Sequence, residues 1–337
     1  MRLHDLLTGS VSADGVPDPG IEFRGDPEVE IGSLVIDDRV VTAGACFACV
    51  PGVRHDGHDH AAAAVRAGAV ACVVERWLDL PVPQIRVPSV RAVLGPLASR
   101  LEGDPSRAMT VVGVTGTNGK TTTAALVEAI AGAAGRSTGV IGTIGTRYAG
   151  TVEPAIHTTP EAPDLQALLA RMRRADVRIV AMEVSSHALS QHRVDGTRFA
   201  AVAFTNLGHD HLDYHGTPEA YLAAKERLLT PAFTDRAAVN LDDPLGAGVA
   251  QRAAAKGLEV CTFGTGADAA IRAEECVPGA AGTDFTLVRR GMRDRVRLPL
   301  VGGFNVANAL AAAALASLAG LPDDAVVAGL ERATSVP

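Results

Sequence analysis

Apolar and polar positions fall in blocks along this chain, and the blocks change period. Short apolar runs at 31–36, 46–50, 70–74 and 85–87 have the length of strands, whereas 61–67 and 90–101 carry apolar positions three or four apart, as helices do. The first hundred or so residues therefore predict a small α/β unit. Gly103-Asp104-Pro105-Ser106-Arg107 then gathers breakers and charge, the composition of a short linker. A boundary near residue 108 follows, with one domain over 1–108 and a second over 109–337. In the second, strands are expected at 111–114, 138–141, 178–183, 200–205 and 237–240, and helices at 121–134, 163–174, 218–229 and 244–255. Such alternation needs crossover connections, so the expected core is a mainly parallel sheet covered on both faces. Ligands of these sheets gather at the carboxyl ends of the strands. The runs 270–274, 285–290 and 295–300 read as antiparallel additions before a helix opened by Asn305. The fold class is α/β: a small N-terminal α/β domain, then a mainly parallel-sheet central domain.

Composition narrows the partners. The chain is 47% hydrophobic with 35 glycines and only 4% aromatic residues, so its cores are built from Ala, Val and Leu. A formal charge of −7 with scattered arginines offers no field for a nucleic-acid backbone, which excludes nucleic acid as the expected partner. No apolar run reaches the ~20 residues of a membrane span, and the Ala-rich run after Asn308 is ended by Gly320 and Pro322. The opening Met1-Arg2-Leu3-His4-Asp5 leads into no long apolar segment of the signal-peptide kind. A cytoplasmic location without membrane insertion is the expectation. The five cysteines are odd in number and expected to be reduced. Cys46-Phe47-Ala48-Cys49 has zinc or redox spacing but lies in a strand-like run with no second close pair, and reads as buried strand thiols. The stretch from His55 to His60 could hold a metal, but reads as a solvated polar loop ahead of a helix.

The strongest chemical signal is Val111-Val112-Gly113-Val114-Thr115-Gly116-Thr117-Asn118-Gly119-Lys120-Thr121-Thr122, which joins an apolar strand directly to a helix. Backbone N–H groups of such a loop converge on phosphate oxygens, the helix N-terminus adds positive potential, Lys120 neutralises the outer phosphates, and Thr121 can ligate Mg²⁺. Only Thr117 and Asn118 separate Gly116 from Gly119, which is shorter than the standard phosphate-loop spacing. Elsewhere the residues speak less clearly. Glu183 closes an apolar run, where it could hold Mg²⁺ or be a solvated strand end. His211 lies among Asp210, Asp213 and His215 and could equally be a hydrogen-bonded loop histidine. Lys225 alone reads as an exposed helix residue.

The shortened loop resembles that of the Mur ligases, ATP-dependent ligases of cell-wall synthesis, and further segments match the family in order. His157-Thr158-Thr159-Pro160-Glu161, Glu183-Val184-Ser185-Ser186-His187, Thr205-Asn206-Leu207, Asp210-His211-Leu212-Asp213-Tyr214-His215-Gly216, Ala223-Ala224-Lys225 and Gly303-Phe304-Asn305-Val306-Ala307-Asn308 resemble its signatures. The combination resembles the MurE-type branch, which makes the UDP-N-acetylmuramoyl tripeptide. The resemblance implies ATP held by Gly116 to Thr122 with Asn305 and Asn308 on the adenine side. It implies Mg²⁺ held by Thr121, Glu183, His211 and Lys225, the last as a CO₂-derived carbamate. The muramoyl dipeptide substrate would be held by Asp38, Arg39, His157, Thr158, Thr159, Ser185, Gln191 and Arg193. Lys120, Glu183, His211 and Lys225 would be the catalytic set. The implied reaction passes the γ-phosphate of ATP to the D-Glu carboxylate of UDP-N-acetylmuramoyl-L-Ala-D-Glu. An amino acid, diaminopimelate or lysine, then attacks the acyl phosphate.

Two departures qualify the resemblance. The family has a third domain, and the chain closes at Ser335-Val336-Pro337 where that domain is expected to begin. Incomplete activity of this chain alone, and a separate C-terminal domain or partner chain, are therefore expected. Asp37-Asp38-Arg39 stands where the family has Asp-Ser-Arg, and Gly44-Ala45-Cys46-Phe47 where it has Gly-Asp-Leu-Phe. A carboxylate at Asp38 would repel a diphosphate. The alternatives are a folylpolyglutamate-synthase-like ligase of the same superfamily and a truncated, non-catalytic paralogue that binds ATP or the UDP precursor.

Overall fold

A computed structural model describes residues 1–7, 20–52 and 55–334; the closing Ser335-Val336-Pro337 lies outside them. The chain forms two compact units. The first is Met1–Pro105 with Glu161–Ala170 and Gln191–Thr197; the second is Ser106–Pro160 with Arg171–Ser190 and Arg198–Pro337. Two segments from beyond residue 108 thus belong to the first unit.

The first unit runs α1 (Leu3–Leu7), β1 (Glu22–Arg24), β2 (Ser33–Val35), β3 (Ala45–Ala48), α2 (Gly57–Arg66), β4 (Ala69–Val74), β5 (Gln84–Arg86) and α3 (Val90–Leu101). Its sheet has the order β1-β5-β4-β3-β2, parallel except for β1. Because side chains alternate along a strand, β3 and β4 feed two cores. Cys46, Ala48, Ala71 and Val73 join Leu94 and Leu97 of α3, while Phe47, Cys72 and Val74 join Ala61 and Ala64 of α2. Cys46, Cys49 and Cys72 are buried free thiols, as the strand pattern implies.

The expectation of a solvated loop from His55 to His60 is corrected. Asp56 caps α2, its carboxylate accepting from the His58 N–H at 2.9 Å, so Gly57 to His60 form the first helical turn. His58 is buried: its Nδ1 lies 2.6 Å from Asp56 Oδ1 and its Nε2 accepts from the Glu75 N–H at 2.9 Å. Both ring nitrogens are satisfied, and that is what allows the imidazole inside.

The second unit holds an eleven-stranded sheet. Its elements are β6 (Thr110–Thr115), α4 (Lys120–Ala133), β7 (Thr138–Gly142), β8 (Gly145–Tyr148), β9 (Thr151–Glu153), α5 (Ala162–Arg174), β10 (Ile179–Glu183), α6 (Ser186–Ser190), β11 (Ala201–Phe204), α7 (Leu212–His215), α8 (Pro218–Glu226), β12 (Arg236–Asn240), α9 (Gly246–Ala255), β13 (Glu259–Gly264), β14 (Ile271–Gly279), β15 (Gly282–Arg289), β16 (Met292–Leu298), α10 (Gly303–Leu318) and α11 (Asp323–Glu331). Helix α5 supplies residues to both units. Strand order is β16-β15-β14-β13-β12-β11-β6-β10-β7-β8-β9. The centre is parallel, and hairpins close both edges: β7-β8-β9 at one, β14-β15-β16 at the other. The helix opened by Asn305 in the sequence reading starts two residues earlier, at Gly303. Its Ala-rich run is explained by packing, since Ala309 to Ala316 are all buried against the sheet and α4. Among the described residues no helix is long and apolar enough to cross a membrane.

This topology positions the site. The chain leaves β6 and crosses past the place of β10 to form β7; later it returns to β10 on one side of β6 and β11 on the other. A crevice opens where such an order switches, at the carboxyl end of the central strand, and the loop after β6 lies there.

Candidate functional site

The loop from Gly116 to Lys120 is tied down by the segment that follows β11. Thr117 N–H donates to Asn206 O at 2.9 Å, Asn118 N–H to Asn206 Oδ1 at 2.9 Å, and Thr205 Oγ1 to Asn118 O at 2.6 Å. Gly208 N–H donates to Thr117 Oγ1 at 2.7 Å. Gly116 has φ +146°, and a Cβ there would fall 1.9 Å from Thr205 Oγ1; at Gly119, φ +87°, it would fall 2.2 Å from Asn308 Oδ1. Only glycine fits either place. Gly119 caps α4 without a side-chain hydrogen bond, which leaves the first helical N–H groups available to an anion. Thr121 and Thr122 follow on the first turn, half-buried. Asn118, Gly119, Thr122, Asn206, Phe304 and Asn308 are among the residues lining a cavity of about 490 Å³ beside the loop, roomy enough for part of a nucleotide. Asn308 is held by Asn305, its Nδ2 donating to Asn305 Oδ1 at 3.1 Å.

Two lysines meet at one carbonyl. Lys120 Nζ donates to Gly116 O at 3.0 Å and Thr117 O at 2.8 Å, and Lys225 Nζ donates to Gly116 O at 2.8 Å. Lys225, read from sequence alone as an exposed helix residue, is 1% exposed. Helix α8 starts with a Thr217 cap and Pro218, and its spacing puts Tyr221 and Lys225 one turn apart on the buried face. Lys225 Nζ lies 4.4 Å from the centre of the Tyr221 ring. Burial, and then the charge of Lys120, pull the Lys225 amine down to about 6. Burial also lowers Lys120, with Glu183 and Asp210 acting against it. Tyr221 was not singled out by sequence. Its hydroxyl lies 3.1 Å from Thr117 Oγ1, linking α8 to the phosphate loop.

Glu183, at the end of β10, is buried, and its carboxylate accepts from Thr143 N–H at 2.9 Å and Thr143 Oγ1 at 3.1 Å. Thr143 is a second residue that sequence reading passed over; its hydroxyl also lies 3.1 Å from Thr158 Oγ1. Thr159 is buried, donating to Glu183 O at 2.9 Å and accepting from Ser185 N–H at 3.1 Å. Ser185 Oγ accepts from Ala188 N–H at 3.1 Å at the start of α6, and His157 is exposed. His211, exposed and left-handed at φ 59°, precedes the four-residue α7, with its ring 4.6 Å from that of His187. Among the described residues no three His, Cys, Asp or Glu side chains gather as a ready-made metal cluster. The donors that do lie near the loop suit a hard cation that keeps several waters. Glu183 offers carboxylate oxygens, and the buried Thr115 Oγ1 at the end of β6 lacks a hydrogen-bond partner.

In the first unit, Asp37, Asp38, Arg39, Phe47, His60 and Arg91 are among the residues lining a cavity of about 620 Å³. Asp37 accepts from the Arg39 N–H at 3.0 Å and from its guanidinium at 2.5 to 3.1 Å, and this holds its carboxyl down to about 2. Asp38 Oδ1 lies 3.3 Å from His60 Nδ1. Gln191 and Arg193 also belong to this unit. The Arg193 guanidinium donates to Gln191 Oε1 at 2.7 and 3.1 Å and pairs with Glu161 at 2.9 Å.

The chain matches the family model described as Mur ligase middle domain over residues 114–316, and that described as Mur ligase family, catalytic domain, over 30–101. It is 42% identical, over its full length, to UDP-N-acetylmuramoyl-L-alanyl-D-glutamate--2,6-diaminopimelate ligase of Geobacter sulfurreducens. The protein of the same name from Gloeobacter violaceus is 41% identical, also over the full chain. A solved structure of a ligase of that name superposes on all of the chain with a TM-score of 0.88 at 28% identity. The chain spans about two thirds of the length of these relatives: 66% and 67% of the two sequences and 67% of the solved chain. Two family models matched in order, and relatives aligned along the whole chain, place it among proteins with this phosphate loop and this preceding domain: it belongs to the Mur ligase family.

Proposed function

We propose that the chain carries the nucleotide-binding and muramoyl-substrate-binding parts of an ATP-dependent ligase. The reaction passes the γ-phosphate of ATP to the free D-Glu carboxylate of UDP-N-acetylmuramoyl-L-Ala-D-Glu, and the amine of an amino acid displaces phosphate from the acyl phosphate to leave an amide. Diaminopimelate is the proposed amino acid, because it is in the names of the relatives aligned along the whole chain. The observation that carries the reading is the meeting of Lys120 and Lys225 on the Gly116 carbonyl of a loop whose helical N–H groups are uncapped.

Phosphoryl transfer depends on positioning and charge neutralisation more than on covalent chemistry. Lys120 turns from the carbonyls of Gly116 and Thr117 to the outer phosphates, which satisfy its charge better than neutral acceptors do. The loop and the first turn of α4 hold the remaining phosphate oxygens through backbone N–H groups. Asn308, which lines the 490 Å³ cavity, and Asn305, which holds it, would meet the adenine of the nucleotide. Mg²⁺ held by Thr121, Glu183, His211 and Lys225, the last as a carbamate, would neutralise charge on donor and acceptor together. Lys225 suits that role because burial leaves its amine neutral above about pH 6, the form that adds CO₂ and releases a proton. His157, Thr158, Thr159, Ser185, Gln191 and Arg193 grip the acyl end of the substrate, and Asp38 and Arg39 the uridine end. A first unit with its own sheet and cavity favours this reading over a bare nucleotide-binding module.

The test is calorimetric titration with UDP-N-acetylmuramoyl-L-Ala-D-Glu in the presence of Mg²⁺ and a non-hydrolysable ATP analogue. Saturable binding, weakened roughly tenfold or more by Arg193→Ala, is expected, as for loss of a charge-assisted contact. A chain that holds the ATP analogue but not the muramoyl dipeptide would reject the assignment of the acid substrate.

A further inference from the structure

In the cavity of the first unit two aspartates, Asp37 and Asp38, face two arginines, Arg39 and Arg91, and the two arginines are held differently. Of its charged lining groups, Asp37 is matched by Arg39 and Asp38 lies 3.3 Å from His60. The Asp38 carboxylate therefore has the His60 imidazole beside it. Arg91 is different. Its Nη1 lies 3.3 Å from Glu161 Oε2 and 3.3 Å from the Gln191 carbonyl, and the other oxygen of Glu161 is held by Arg193 at 2.9 Å. One carboxylate thus faces two guanidiniums, and the trio keeps a net positive charge. Arg193 has the closer contact with Glu161 and a second acceptor in Gln191 Oε1 at 2.7 Å, whereas Arg91 has the longer contact and lines the open cavity. Arginine also has the fork geometry for two oxygens of a phosphate.

We propose that Arg91 reads the diphosphate of the nucleotide-linked substrate, and that Glu161 holds it in reserve until that anion enters the cavity. When the diphosphate takes the Arg91 guanidinium, Glu161 is left to Arg193 alone, so filling the cavity also tightens the setting of Arg193. The inference rests on the reading of the first unit as the nucleotide-substrate unit. It assigns to Arg91 and Glu161 roles that the helix-start position of one and the segment position of the other do not disclose.

The test is titration with UDP itself, with the phosphate loop first saturated by Mg²⁺ and a non-hydrolysable ATP analogue so that only the first unit is read. Arg91→Ala is expected to weaken UDP tenfold or more while the affinity for the ATP analogue stays unchanged. Glu161→Gln is expected to bind UDP severalfold more tightly, because it removes the carboxylate that competes for Arg91. A purely structural bridge gives the opposite sign or no change for Glu161→Gln, so this variant decides the matter even if Arg91→Ala folds poorly. UDP binding that is insensitive to Arg91→Ala, or not tightened by Glu161→Gln, overturns the proposal while leaving the substrate reading standing. Failure of the unaltered chain to bind UDP at all overturns both.

Discussion

The two units hold their charged side chains in different ways. Beside the phosphate loop, Lys120 and Lys225 are tucked onto backbone carbonyls, and Glu183 is buried on the N–H and hydroxyl of Thr143. In the first unit, Asp37 with Arg39 and Asp38 with His60 pair side chain to side chain where water reaches them. Backbone carbonyls are fixed by the fold and carry no compensating charge, so desolvation in the second site pulls the Lys225 amine far down. Surface pairs are screened and adjustable, so the first cavity can exchange an internal partner for a ligand at little cost.

The largest effect that separates the two is on Lys225. Its folded pKa of about 6 lies below the ordinary 10.5, so near neutrality the folded amine is uncharged while the unfolded one holds a proton. Each unit of pH below 10.5 therefore costs the folded state about 1.4 kcal/mol until the folded pKa is reached. Lys225→Met, in CO₂-free buffer, is expected to raise unfolding free energy by on the order of a few kcal/mol at pH 7, once loss of the Gly116 hydrogen bond is deducted. The gain should be greatest at pH 6 and below and fade toward pH 10.5. A urea-unfolding series across that range showing a gain independent of pH would contradict the burial argument.

Backbone crowding in the loop comes next. Gly116→Ala puts a methyl into Thr205 Oγ1 at a φ that side chains avoid, and should cost about 2 kcal/mol, read by denaturant titration. A neutral result would mean that the loop is not clamped by Thr205. The smallest effect belongs to the exposed pair. Asp37 titrates at about 2 in the folded chain, against an ordinary 3.8, so its contribution is complete above about pH 4 and is lost as pH falls through 2. Asp37→Asn should therefore cost less than about 1 kcal/mol at pH 7, and the difference should vanish below pH 2, provided the chain still unfolds cooperatively there. A cost of several kcal/mol would erase the contrast between the units.

The same contrast governs what the sequence discloses. The phosphate loop is contiguous, so strand, glycines, lysine and threonines announce it together, and the central strands are long apolar runs. Strands β8 and β9 are short and polar, with Val152 and Glu153 outside any apolar pattern, and they form because β8 pairs with the edge of β7 and β9 with β8. Burial of Lys225 was not legible, since the residue alone reads as exposed and no local pattern reveals the carbonyl that receives it. Asp56 and His58 resemble loop residues because the cap and the buried imidazole are satisfied by Arg76 and Glu75, far along the chain. Arg91, Glu161 and Arg193 lie 70 and 32 positions apart, and only folding brings them to one carboxylate.

The most direct measurement is calorimetric titration of the chain with a non-hydrolysable ATP analogue and Mg²⁺, alongside Lys120→Ala. Saturable one-to-one binding that falls roughly a hundredfold in the variant is expected if the loop after β6 grips the outer phosphates. Binding of equal strength in both proteins, or none in the unaltered chain, would contradict the account of this site as the ATP-binding engine.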